Sequence, residues 1–190
     1  MKHYIKHLFI CSIIISSLSY CKAQQKYTAG MVTANKKTYA VKEIENMVSV
    51  ANISNRYTNE GMGKHYHGKF KGKLYPEMIG TTIDENKLKS ILRDEIGSNN
   101  TTKLAMDYKN YLVIHFTFSL EGKVLETAFL TNNSTLITPA MFERIETRIK
   151  QEIHASFNET IRPGFTKPFY RDYDFIQHDV HYNYNKLVIN

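Results

Sequence analysis

Twenty residues, "YLVIHFTFSLEGKVLETAFL" (Tyr111–Leu130), constrain the fold more than any other part of the chain. Leu112, Ile114, Phe116, Phe118 and Leu120 alternate with Tyr111, Val113, His115, Thr117 and Ser119, a period of two that belongs to a strand. Glu121 and Gly122 interrupt the pattern and a second run follows over residues 123–131, so the segment predicts a β-hairpin with one strongly apolar face. Such a face must be covered. The next segment supplies the cover: Thr138 suits an N-cap, Pro139 suits the first helical position, and Phe142, Ile145, Ile149, Ile153 and Phe157 recur at helical spacing. Glu143, Arg144, Glu146, Thr147 and Lys150 are expected to face water. After a loop bearing "RPGFTKP", the stretch "DYDFIQHDVHYNYN" (Asp172–Asn185) predicts a closing strand.

The N-terminal half is less strongly patterned. Residues 27–33 and 37–41 alternate like short strands around "ANKK", although Val41, Ile44, Val48 and Ala51 also fit a helical spacing; the strand reading is the one adopted. One helix is well marked. Asp84 is a good N-cap, Ile83 and Leu88 stand at the positions of a hydrophobic staple, and Leu88, Ile91, Leu92 and Ile96 form a stripe ended by Gly97. The polar stretch "GSNNTT" (Gly97–Thr102) then reads as a turn-rich boundary. The expectation is an α+β protein with residues 24–97 strand-rich and ending in a helix, and residues 98–190 carrying the hairpin, helix and closing strand.

The first residues read as an export signal. Lys2, His3, Lys6 and His7 precede a fourteen-residue apolar stretch, Leu8–Cys21, which is short of the ~20 residues of a membrane span. Small residues Cys21 and Ala23 place a cleavage before Gln24, so residues 1–23 are excluded from the fold. The alternative is a lipoprotein anchored through Cys21, although bulky Tyr20 precedes it. Both cysteines, Cys11 and Cys21, lie in this segment, leaving the mature chain without a disulfide or a thiolate ligand. Removing Lys2, Lys6 and Lys22 leaves 22 Lys and Arg against 18 Asp and Glu, a net +4 that falls short of a nucleic-acid footprint. A secreted or periplasmic protein with no transmembrane span in its mature chain is expected.

The C-terminal order, with "HFTFSLEGKVLETAFL", an amphipathic helix, "IRP" and "TKPF", and a final strand, resembles the C-terminal domain of TonB-type energy transducers over about residues 110–184. Gly122, Lys123, Val124 and Pro163 carry the likeness best. A transducer carries an inner-membrane anchor and a long proline-rich spacer, whereas here a short, cleaved signal is expected to lead within a few residues to folded sequence. What the resemblance implies is therefore a free domain whose final strand captures an extended segment of another protein. The chain otherwise looks like small secreted domains of unknown function from Gram-negative anaerobes.

The chemically loudest stretch is "GMGKHYHGKFKGKLY" (Gly61–Tyr75). As a strand it places Tyr66, Gly68, Phe70, Gly72 and Leu74 on one face, and His65, His67, Lys69, Lys71 and Lys73 on the other. It lacks the spacing and the hydroxyl of a phosphate loop. Lys69, Lys71 and Lys73 are the binding candidates, suited to an anionic envelope component. His65 and His67 could share a metal ion only with a third, distant ligand, for which His115, His178, Asp179 and His181 are available. In "HDVH", His178 and His181 are three apart on a strand and point to opposite faces. Asp172 and Asp174 read as one face of a strand, and Tyr170, Tyr173, Tyr182 and Tyr184 as a candidate sugar-stacking patch. No hydrolase signature occurs, no cofactor is expected, and a non-catalytic envelope binding domain is favoured over a small enzyme or metal-binding protein using His65 and His67.

Overall fold

A computed structural model describes residues 27–58, 79–107, 109–159, 161, 163–164 and 166–188. The export segment with Cys21 and Gln24, and the stretch with His65, His67, Lys69, Lys71 and Lys73, lie outside the described residues. The strands are β1 (Gly30–Thr33), β2 (Thr38–Ile44), β3 (Met47–Asn52), β4 (Thr81–Ile83), β5 (Tyr111–Phe118), β6 (Val124–Asn132), β7 (Ala155–Phe157) and β8 (Ile176–Asn183). The helices are α1 (Glu85–Ile96), α2 (Ser98–Ala105) and α3 (Pro139–Glu152). The protein is α+β, as the patterning predicts.

Six strands form one antiparallel sheet in the order β1-β2-β3-β6-β5-β8, and β4 pairs with β7 in a second, two-stranded sheet. The central pair of the six-stranded sheet is β3 and β6, with β5 of the hairpin beyond β6, so strands from both halves of the chain share the sheet. The pairings Val41↔Val50, Val50↔Phe129, Phe129↔Ile114 and Ile114↔Val180 fix which side chains share a face. Leu112, Ile114, Phe116, Phe118, Phe129, Val48 and Val50 are buried on the helical side. Phe142 of α3 meets Phe129 there at a ring separation of 4.8 Å. Each such aromatic or aliphatic side chain contributes about 1.5 to 3 kcal/mol on burial.

The helix ends follow the residues expected. Asp84 accepts from the Lys87 amide at 2.9 Å, and Gly97, at φ +80°, ends α1. Thr138 accepts from the Met141 amide at 3.3 Å, with Pro139 opening α3. The turn of the hairpin is closed by Gly122 at φ +87°, whose carbonyl accepts from the Ala155 amide at 2.9 Å and ties the hairpin to β7.

Four expectations change. The helix opened by Pro139 ends at Glu152, so Phe157 lies on β7 and not on the helix's apolar stripe. "GSNNTT" is no turn-rich boundary: Ser98 opens α2, with Thr101 and Leu104 buried and the Thr101 and Thr102 hydroxyls donating back to the Gly97 and Ser98 carbonyls at 2.9 Å. Asp172 and Asp174 are not on a strand, because a 3-10 turn over Phe169–Asp172 precedes β8 and Asp172 pairs with Lys167 at 2.7 Å. Glu143 and Glu146 do not face water. Glu146 is fully buried, accepting from the Tyr39 hydroxyl (2.7 Å) and Asn52 Nδ2 (3.2 and 3.3 Å) beside Lys37 (3.2 Å) and Lys150 (2.8 Å). Glu143 accepts from the Lys36 amide at 3.1 Å. The two carboxylates fasten α3 to β2, β3 and the β1–β2 turn.

On the opposite face of the sheet, Glu126 of β6 accepts from the backbone amides of Arg56, Tyr57 (2.9 Å) and Thr58 (3.0 Å). Asn55 Nδ2 donates to the Thr127 carbonyl at 2.8 Å, and Gln177 Nε2 to that of Tyr57 at 3.1 Å. The segment after β3 is thus laid over β6 and β8. Met31 and Ile44 remain exposed toward the β1 end.

Candidate functional site

A strand at the end of a sheet leaves every second backbone N–H and C=O along its outer edge without a ladder partner. β8 ends the six-stranded sheet, pairing on one side with β5 from Tyr111↔Asn183 to Phe118↔Ile176. Its other side opens into a cleft of about 490 Å³. One wall is β8 itself, His178–Tyr182; the other is β4, Thr81–Ile83, with Glu85 at the start of α1; Lys186 lies at one end. Among the described residues, the last strand of the sheet thus borders a polar recess. A second cavity, about 340 Å³, lies between α1 and α2 beside Leu187, but it adjoins no strand edge.

The electrostatics of the cleft are set by its two acids and three bases. Burial holds the His178 imidazole below its ordinary pKa, with Asp179 and Glu85 opposing more weakly. Asp179, on the opposite face of β8, is held below the usual carboxylate range by its hydrogen bond with His115, burial working the other way. Burial and the Glu85 charge push the Tyr182 phenol far above its ordinary value, so it is a protonated donor. Tyr182 is 2% exposed and its hydroxyl has no hydrogen-bond partner among the described residues. Buried hydroxyls are rarely left so.

The sequence candidates fall into separate places. His115 is directly across from Asp179 and bonds to it through Nδ1. Thr117, two residues along the same face, is fully buried, so it gives this His–Asp pair no accessible nucleophile. Pairing with Phe116 and Val113 puts His178 and His181 on opposite faces of β8. Among the described residues, no group of three His, Cys, Asp or Glu stands close enough to hold a metal ion. The sugar-stacking patch is overturned: Tyr170, Tyr173, Tyr182 and Tyr184 are 3%, 2%, 2% and 0% exposed and offer no ring face. The cleft itself was missed in the sequence because its second wall, β4, is three residues long.

The described residues form an antiparallel α+β domain whose last sheet strand, β8, borders a polar cleft. The crystal structure of a DUF5043 family protein from Bacteroides uniformis, a domain of unknown function, is similar in fold: TM-score 0.59 at 15% identity, over 83% of this chain and 85% of that one. No family model and no curated protein matches the chain. Among the described residues, no helix is long and apolar enough to cross a membrane.

Proposed function

We propose that this is a non-catalytic binding domain of the cell envelope that captures an extended segment of another protein along the outer edge of β8. The observation that carries the reading is the position of β8 at the end of the sheet, its outer edge opening into the cleft. Eight residues, Ile176–Asn183, give an edge of about 27 Å, long enough to pair with a segment of similar length. Main-chain hydrogen bonds supply affinity in such pairing, and side-chain recesses beside the edge supply specificity. The likeness of residues 110–184 to TonB-type C-terminal domains supports the same mode, and the N-terminal basic and apolar stretch supports an envelope location. An anionic envelope component held by Lys69, Lys71 and Lys73 is a further binding mode consistent with the sequence.

The test is a photo-reactive residue at His181, which is exposed and lines the cleft, in the mature chain mixed with envelope extract. A synthetic peptide covering the cross-linked segment should bind the mature chain and lose binding when alternate backbone nitrogens are methylated. No cross-link from His181, or a peptide indifferent to methylation, would overturn the proposal. The alternative, an envelope enzyme or metal-binding protein using His65 and His67, requires stoichiometric zinc, copper or nickel that is lost on replacing both histidines.

A further inference from the structure

The cavity of about 340 Å³ between α1 and α2 shares no described residue with the β8 cleft, so its chemistry is independent of strand capture. Its volume falls within the range of about 300 to 1,000 Å³ that small-molecule sites occupy. Leu187, 1% exposed, and half-buried Val188 give it aliphatic surface. The Thr101 and Thr102 hydroxyls donate back to the Gly97 and Ser98 carbonyls, so neither donates to a ligand. Arg93 is the group that stands out. The arginines of α3 are engaged, Arg144 with Glu95 at 2.6 Å and Arg148 with Asp94 at 2.9 Å and Glu152 at 2.7 Å. Arg93, partly buried on the cavity wall, makes no ion pair or side-chain hydrogen bond among the described residues. Its position in the last turn of α1 suits the helix end, yet its planar fork of N–H donors stays available.

We propose that this cavity binds a small monocarboxylate with an apolar body, the carboxylate held by the Arg93 guanidinium and the hydrocarbon set against Leu187 and Val188. A guanidinium matches a carboxylate with two parallel hydrogen bonds. Ser90 and Ser98, also on the wall, add hydroxyl donors for the same oxygens. Asp94 lines the cavity too. Its charge is met by Arg148, but it repels a second negative charge on a ligand, which disfavours phosphate and dicarboxylates. An amine meets repulsion from Arg93, and an alcohol forgoes the charge-assisted bonds.

The experiment titrates hexanoate and phenylacetate into the mature chain, beside hexanol, hexylamine and inorganic phosphate, and follows the ¹³C-labelled methyl resonances of Leu187 and Val188. At least one carboxylate should shift both residues to saturation, and hexanoate should bind about tenfold more tightly than hexanol, as expected for hydrogen bonds to a charged group. Hexylamine and phosphate should both bind more weakly than hexanoate. Arg93→Gln should bring hexanoate and hexanol within about twofold of each other, with the melting temperature moved by about 2 °C or less. A purely helix-stabilising Arg93 would leave the preference for hexanoate in place. Val188→Asp should abolish hexanoate binding with Arg93 intact, which tests the apolar wall even if Arg93→Gln folds poorly. Lys103→Gln, on α2 but not among the residues lining the cavity, should change nothing. Equal binding of hexanoate and hexanol, phosphate bound as tightly as hexanoate, a preference that survives Arg93→Gln, or no shift at Leu187 and Val188 with either carboxylate would overturn the proposal. None of these results bears on capture along β8.

Discussion

Replacing Glu146 by alanine should destabilise the fold by about 3 to 5 kcal/mol, the usual cost of removing one partner from a buried charged network. The magnitude follows from what the carboxylate satisfies. Its removal strands the Tyr39 hydroxyl and Asn52 Nδ2, in residues 0% and 7% exposed, each costing about 1 to 3 kcal/mol if left unpaired. Lys37 and Lys150, partly exposed, recover water and add little. At about 2 to 4 °C per kcal/mol for a domain of this size, the melting temperature should fall by about 6 to 20 °C. Glu146→Gln keeps an acceptor for Tyr39 and should cost less, about 1 to 2 kcal/mol. Burial raises the Glu146 pKa, but hydrogen bonds from Lys150 and Tyr39 and the charges of Lys150 and Lys37 outweigh it, so the net shift is below the ordinary 4.5. Its stabilisation is therefore complete above that value and lost as pH falls through the lower folded pKa. Calorimetry and urea denaturation between pH 7 and 3 measure both effects. An alanine variant within about 1 kcal/mol of the unaltered protein, or an acid limb unchanged by Glu146→Gln, would refute the argument that this network fastens α3 to the sheet.

Gly122→Ala should cost more than about 2 kcal/mol in urea denaturation, because the residue lies at φ +87° and a Cβ would stand 1.9 Å from the Ala155 carbonyl oxygen. Glu126→Ala should speed hydrogen exchange at the Arg56, Tyr57 and Thr58 amides while leaving β5 and β6 protected, since those three amides donate to its carboxylate. Arg148→Met should let the Glu152 carboxyl, now pushed down to about 2 by hydrogen bonds from Arg148 and then Lys87, titrate nearer its usual range, as followed by NMR. Intact mass should place the mature N-terminus at Gln24; a diacylglycerol adduct on Cys21 would establish the lipoprotein alternative.

Local signals that act alone were legible. The alternation through Tyr111–Phe118, the turn at Gly122, and the caps at Asp84 and Thr138 each depend on a few neighbouring residues, and each has its expected structural counterpart. The charged face of α3 was misread because charge was weighed ahead of angle. At about 100° per residue, Glu146 lies about 40° from Phe142 and about 20° from Ile153, inside the apolar arc. That arithmetic marks it as a buried carboxylate in need of partners, but Tyr39 and Asn52 come from strands, and Lys37 from the β1–β2 turn, about a hundred residues away. The cleft is less accessible still. It exists only because β4, too short for a period to register, comes to stand opposite β8.

Amide hydrogen exchange along β8, resolved residue by residue before and after the captured segment is added, tests the central claim most directly. In the free mature chain, amides of alternate residues within Ile176–Asn183, those directed away from β5, should exchange rapidly while their neighbours in the β5 ladder are protected. Adding the captured segment should protect the fast set and leave β1 unchanged. Uniform protection of β8 in the free chain, or protection that appears elsewhere while the outer β8 amides remain fast, would contradict capture along this edge.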